Sequence, residues 1–196
     1  MNPGWQISKA NFTKDDGSLP GVEFRDLTSD SVRRIVSYFF TEGTIDSPET
    51  TVHDLIAGKD VLISAVSDPT GMVFSGAASH FHCCFSGLSW NKLSLPVLGL
   101  FVFSDSLEID YRMGGDWIPE KVDAFFGLLS HLISLAPEAI VDSAYPEGLP
   151  FPGEFGIALD HYAPHRKHED AEQSVAPNRS LPPTLNSTSS VRGSED

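Results

Sequence analysis

The sequence contains few cysteines, only two among 196 residues, and they are the neighbours Cys83 and Cys84. Adjacent cysteines cannot cross-link distant segments, and on a strand their side chains point to opposite faces. A disulfide framework is therefore excluded, and we expect reduced thiols. The chain must rely on a hydrophobic core, and its length with 40% hydrophobic residues suffices for one domain.

Long apolar runs and basic residues are also scarce. No apolar stretch reaches the roughly 18 residues of a spanning helix, and residues 1–12 lack the basic region and apolar core of a signal peptide. We therefore expect a cytoplasmic protein without membrane contact. Thirteen Lys and Arg stand against 27 Asp and Glu, a net charge of -14. This charge argues against nucleic-acid binding and favours either simple solubility or a basic partner.

The C-terminal segment 164–196 has hardly any apolar residues, which predicts a disordered tail. It carries four Lys/Arg and five Asp/Glu, so residues 1–163 keep nine basic against 22 acidic residues, a charge of -13. The acidity thus belongs to residues 1–163, which we expect to form a single α+β domain.

The centre of the predicted fold is a hairpin followed by a helix. An apolar run at 97–103 predicts a buried strand, and strict alternation at 107–113 predicts a half-exposed strand with a charged outer face. Apolar residues at helical spacing then predict an amphipathic helix that starts near Pro119 and stops at Pro137. A second helix is expected from Thr28 to Gly43.

The remaining segments complete an α+β fold, with an antiparallel sheet of about five to seven strands covered by these two main amphipathic helices. Residues 60–113 are expected to form a four-strand meander. Residues 52–57 suggest a helical turn, and residues 68–71 suggest a turn. Further strands are predicted at 5–12, 22–24, 61–66, 72–85, 139–145 and 155–162.

Recognisable catalytic signatures are missing: there is no nucleophile elbow, phosphate-binding glycine loop or two-histidine zinc helix. His80, His82 and Cys84 would project from one side of a strand with donors suited to zinc or copper. Since no fourth ligand is evident, an ordinary polar strand face is the simpler interpretation. We expect no catalytic residue, no metal and no cofactor.

A cysteine-dependent enzyme stays open as an alternative, because His131 or His161 could approach Cys83 or Cys84 in space. Sequence spacing cannot test whether either histidine does so.

Several residues are candidates for contact with a protein partner. Glu108 and Asp110 share a strand face that suits acid–base work, an ordinary solvated surface or partner contact. Trp117 is more typical of packing than of recognition. The proline-rich loop 145–152 either docks a partner or packs its own apolar residues. The candidates are Glu108, Asp110, Arg112, Asp116, Trp117 and Glu147.

The run LEIDYRMGGDWIPEKVDAFFGLLSHLISLAPEA places a strand, an acidic helix start and a helix ending at proline in succession. Over roughly 93–162 this pattern resembles the small acidic α+β immunity proteins that bacteria encode as partners of polymorphic toxins. The resemblance implies a non-catalytic protein that neutralises a basic toxin domain by direct binding. The alternatives are a small metal- or cysteine-dependent enzyme and an adaptor or structural subunit.

Overall fold

The structure is a computed structural model that describes residues 2–144 and 149–164. Glu147 and the predicted tail beyond Pro164 lie outside the described residues. The helices are α1 (Pro3–Ser8), α2 (Ala10–Thr13), α3 (Ser29–Glu42), α4 (Pro69–Phe74), α5 (Pro119–Leu135) and α6 (Pro152–Tyr162). The strands are β1 (Gly21–Arg25), β2 (Thr44–Ile45), β3 (Thr51–Asp54), β4 (Lys59–Leu62), β5 (Phe81–Ser86), β6 (Ser89–Trp90), β7 (Leu93–Ser94), β8 (Leu98–Val102), β9 (Leu107–Tyr111) and β10 (Ile140–Ser143).

Six of these strands form one sheet in the order β10-β1-β9-β8-β5-β2. Every neighbouring pair in this sheet is antiparallel. Two small hairpins, β3–β4 and β6–β7, stand outside the sheet. The predicted α+β class with an antiparallel sheet is confirmed. Among the described residues, none of the helices combines the length and apolarity that crossing a bilayer requires.

One face of the sheet, here called the core face, packs against the helices. Phe85 of β5 lies 5.4 Å from Phe39 of α3, measured between ring centroids. Tyr111 of β9 lies 5.4 Å from Phe125 of α5. All four rings are at most 1% exposed. The two amphipathic helices therefore cover the sheet as their spacing predicted.

The start of α3 shows why this helix forms where the sequence predicts it. Thr28 accepts a hydrogen bond from the backbone N–H of Ser31, which satisfies one of the free donors of the first turn. The Glu138 carboxylate in turn accepts bonds from the backbone N–H and the hydroxyl of Thr28. Burial alone would raise the pKa of Glu138. Its hydrogen bonds to Ser31, its own backbone and Thr28 outweigh burial and hold the pKa at about 2.

Two predicted strands are wrong, because residues 5–12 and 155–162 are helical. Each helical segment begins with a proline in its first turn, a position where the missing N–H costs nothing. In α6 the buried residues Phe155, Ala158 and Leu159 follow helical spacing. In segments this short, the same order of apolar and polar residues fits both an alternating strand and two turns of a helix. The alternation therefore did not identify a strand.

The predicted four-strand meander is also wrong, and only β5, β8 and β9 remain of it. Asp68 accepts a bond from the backbone N–H of Gly71 and caps α4, so residues 68–71 start a helix and the strand begins only at Phe81. The helical turn expected at residues 52–57 is also wrong, because Thr51–Asp54 is a strand that pairs with β4 in a separate hairpin. Asp54 accepts bonds from the turn N–H groups of that hairpin.

Candidate binding face

The other face of the sheet, here called the acidic face, carries side chains from the five adjacent strands β10, β1, β9, β8 and β5, and all of these strands except β8 contribute polar ones. Cross-strand register defines it, because directly paired residues project to the same side. Its aromatic and imidazole rings contact one another, with ring centroids 3.9 Å apart for His82 and Phe101. The members are Asp142, Glu23, Glu108, Asp110, Phe101, His82 and Cys84.

The prediction that Glu108 and Asp110 lie on a half-exposed strand face is wrong, because they are only 8% and 5% exposed. Glycines on the flanking strands explain this burial. A Cβ atom at Gly21 would collide with the Glu108 carboxylate, and one at Gly99 would collide with that of Asp110. The carboxylates therefore lie down over the neighbouring strands.

Three carboxylates on this face stand directly opposite one another and form what we call the acidic row, Asp142, Glu23 and Glu108. Glu23 of β1 pairs with Asp142 of β10 on one side and with Glu108 of β9 on the other. Like charges directly opposite one another destabilise a sheet. The row is an arrangement that stability alone does not favour.

The pKa values of Glu23 and Glu108 in the acidic row are raised, chiefly by burial and also by neighbouring carboxylates. Burial raises the pKa of Glu23, Arg25 opposes that rise, and the nearby Asp105 and Asp142 add to it. Burial also raises the pKa of Glu108, with contributions from Asp110 and Glu23. Both carboxyl groups are therefore harder to ionise in the folded protein than in water.

The side chains of His82 and Asp110 meet across the intervening strand β8. His82 Nε2 lies 2.9 Å from Asp110 Oδ2. The two atoms do not meet hydrogen-bond geometry, and neither has another hydrogen-bond partner among residues 2–144 and 149–164. A side chain at Gly99 would block this contact, since its Cβ would collide with both groups. Because Gly99 has no side chain, the side chains of His82 on β5 and Asp110 on β9 can meet over β8.

The environments of the two cysteines and of the predicted metal ligands do not favour nucleophilic catalysis or metal binding. Burial raises the pKa of the Cys83 thiol to about 12 and also raises the pKa of Cys84, to which Asp110 and Asp46 add. A nucleophilic cysteine needs the opposite shift. His80 precedes β5 and lies 5.4 Å from the Phe103 ring. Within the described part of the chain, no group of three or more His, Cys, Asp or Glu residues is placed to hold a metal ion.

The other described partner-binding candidates, Arg112, Asp116 and Trp117, are not among the members of the acidic face. Arg112 is exposed, and its Nη2 atom lies 3.2 Å from Asp15 Oδ2. Asp116 is exposed in the loop before α5. Trp117 is 2% exposed, packs at a tilt against the buried ring of Phe12 and donates its indole N–H to the backbone carbonyl of Arg112. This burial agrees with a packing role and leaves Trp117 little surface for a partner.

A cleft of about 580 Å³ opens at one end of the acidic face, beside the turn between β8 and β9. We call it the acidic cleft. Sequence patterns alone missed Glu23 as its second carboxylate, although the buried Val22 and Phe24 on either side of it already implied that Glu23 points away from the core. Residues that line it include Glu23, Glu108, His80, Phe103, Asp105 and Ser106.

Comparisons with known proteins add no relative to this description. No family model, no curated protein and no solved structure matches the chain. The acidic face and its cleft are therefore the basis for a functional conclusion.

Proposed function

We propose that this chain is a non-catalytic binding protein that captures a basic protein partner through its acidic face. Within that class, the resemblance of residues 93–162 favours an immunity protein that neutralises a toxin domain. The observation that carries the proposal is the acidic row, in which three carboxylates face one another on adjacent strands.

A basic partner would relieve the repulsion within this row. Burial and mutual repulsion disfavour the ionised forms of Glu23 and Glu108 in the free protein. A cation that docks on the row adds positive charge beside these carboxylates, which favours their ionised forms and makes binding more favourable. The net charge of -14 adds long-range attraction, which accelerates encounter with a positively charged partner.

The enzyme alternative receives less support from the same face. Cys84 shares the acidic face with His82, but burial raises its pKa, and no hydrogen bond joins the thiol to a histidine within the described residues. An activated cysteine would need a base in contact with it.

The adaptor alternative has one observation in its favour, an exposed apolar group on the β3–β4 hairpin. Leu55 is 53% exposed, Ile56 is 83% exposed and Leu62 is 45% exposed. An adaptor that uses this hairpin would co-purify with a partner whether or not the acidic row is intact.

The proposal predicts that a polypeptide with a C-terminal toxin domain is encoded beside this chain, and the test uses that polypeptide. We expect the C-terminal domain of that polypeptide to inhibit growth and coexpression of this chain to restore growth. The neutralised triple variant Glu23→Gln, Glu108→Gln, Asp142→Asn should slow association at low salt by about tenfold, because steering depends on charge. High salt should slow the unaltered chain in the same way.

A matched variant separates the acidic face from overall charge. The triple variant Asp30→Asn, Glu120→Gln, Glu154→Gln removes the same charge from exposed positions on the helices. It should keep most of the association rate. Equal slowing by both variants would contradict the proposal that the acidic face is the contact surface, and a rate independent of salt would contradict steering altogether.

A further inference from the structure

The acidic cleft presents two carboxylates from neighbouring strands to the same space. Glu23 and Glu108 are directly paired across β1 and β9, and both line the cleft. The β8–β9 turn and the segment before β5 supply much of the remaining wall, with the rings of Phe103 and His80 5.4 Å apart, and Val73 of α4 and Ala144 after β10 complete it. The cleft thus combines an acidic floor with an aromatic side.

Glu108 is the residue that points to a ligand. Glu108 is only 8% exposed and lines the cleft, and no hydrogen bond or salt bridge joins its carboxylate to another residue among residues 2–144 and 149–164, so that only the solvent in the cleft contacts its oxygens. Buried carboxylates are normally paired, because an unpaired buried charge is costly. Glu23 has Arg25 at 3.7 Å, but the acidic floor as a whole has more negative than positive charge.

We propose that the acidic cleft is a receptor for the guanidinium group of an arginine side chain that the partner presents. A guanidinium is planar and carries five N–H donors in a fixed fork, so it can bridge two carboxylates on adjacent strands. Its flat face also stacks on aromatic rings such as that of Phe103. A metal ion fits less well, because no set of three or more metal-ligating side chains converges in the described residues.

This inference rests on the proposed function for the source of the arginine, but the chemistry of the cleft can be tested without a partner. The probe is N-acetyl-argininamide, titrated into the full isotope-labelled chain and followed by amide NMR shifts. We expect saturable shifts centred on residues around Glu23, Glu108 and Phe103. N-acetyl-citrullinamide has nearly the same shape without the charge, and it should cause no saturable shifts there.

Two single variants define the role of the cleft. Glu108→Gln should weaken the affinity for N-acetyl-argininamide at least tenfold, because it removes the unpaired carboxylate. Glu120→Gln, an exposed position on α5, removes the same charge from the helical layer and should leave the affinity within twofold. Urea unfolding of each variant confirms that the fold is kept.

The outcomes are distinct. Equal binding of N-acetyl-lysinamide and N-acetyl-argininamide would overturn the preference for a guanidinium, and shifts centred elsewhere would overturn the site. If the amide binds and Glu108→Gln weakens it while growth is not restored by coexpression, the cleft stands and toxin neutralisation falls. If growth is restored but the amide does not bind the cleft, the proposed function stands and this inference falls.

Discussion

On the core face, the strands of the six-stranded sheet present apolar side chains to the helices, whereas on the acidic face β10, β1 and β9 present carboxylates to one another. Val22 and Phe24 are fully buried against the core, and Glu23 between them enters the acidic row. One strand therefore contributes both to stability and to an arrangement that opposes it.

The two faces have different roles: the core face stabilises the fold, whereas the acidic face is suited to recognition. Burial of apolar area on the core face supplies the favourable free energy of folding. On the acidic face of the free protein, the carboxylates of the acidic row repel one another and oppose folding, and only the ring contacts around Phe101 contribute favourable packing. Local conflicts of this sort are expected at functional sites, where stability is given up for recognition.

A matched pair of phenylalanines should show the largest contrast between the faces. Phe85 on the core face is fully buried, so Phe85→Ala should lower the free energy of unfolding by about 3–5 kcal/mol. Phe101 on the acidic face is half-buried and packs mainly on His82 and Phe103, so Phe101→Ala should lower it by only about 1 kcal/mol. Urea unfolding measures both values. Equal losses would show that the acidic face also carries a core.

A second pair of variants tests the contact that the side chains of His82 and Asp110 make over β8. Gly99→Ala places a methyl group where the Asp110 carboxylate and His82 ring lie, so it should destabilise the fold by about 1–3 kcal/mol. Gly115→Ala is the control, because its new methyl group meets no atom within 4 Å. The control should change stability by less than about 0.5 kcal/mol in the same urea experiment. A neutral Gly99→Ala variant would contradict the close crossing of the two side chains.

The sequence predicts the core face far better than the acidic face. Helix α3 carries a threonine cap and a regular apolar stripe, and α5 begins at Pro119 and ends before Pro137, so local signals set both helices. The alternation of β9 is equally local, and it places Glu108 correctly on the side away from the core. Each of these features depends on residues that are close in the chain.

The arrangement of the acidic face could not be predicted from local patterns, because its residues come from parts of the chain that are distant in sequence. Asp142, Glu23 and Glu108 come from three separate parts of the chain, and only the register of β10, β1 and β9 aligns them. The burial of Glu108 depends on Gly21, a residue of another strand that no local pattern connects to it. Alternation indicates which way a side chain points, but its exposure depends on which residues flank it in the sheet.

A third prediction contrasts a satisfied carboxylate with the unsatisfied ones. Glu138 accepts hydrogen bonds at the start of α3, so Glu138→Ala should lower the free energy of unfolding by about 1 kcal/mol at neutral pH. Because the folded pKa is lowered to about 2 from 4.5, this stabilisation is present above pH 4.5 and is lost as the pH falls through about 2. The gap between the variant and the unaltered chain should therefore close on acidification. An exposed control, Glu49→Ala, should show no such gap.

The smallest effect has the opposite sign and bears most directly on the acidic row. Burial raises the folded pKa of Glu108 above its ordinary value of 4.5, so the stability linked to its protonated form is present below pH 4.5 and is lost as the pH rises through the folded pKa. Glu108→Gln cannot ionise, and it should be more stable than the unaltered chain by about 0.5–1 kcal/mol at neutral pH. Below pH 4.5 this advantage should disappear, because Glu108 is then neutral in both the folded and the unfolded chain. Urea unfolding at several pH values, with Glu49→Gln as the exposed control, measures the effect. A Glu108→Gln variant that is less stable than the unaltered chain at neutral pH would mean that the carboxylate already has a stabilising partner, and the acidic row would then need no external cation.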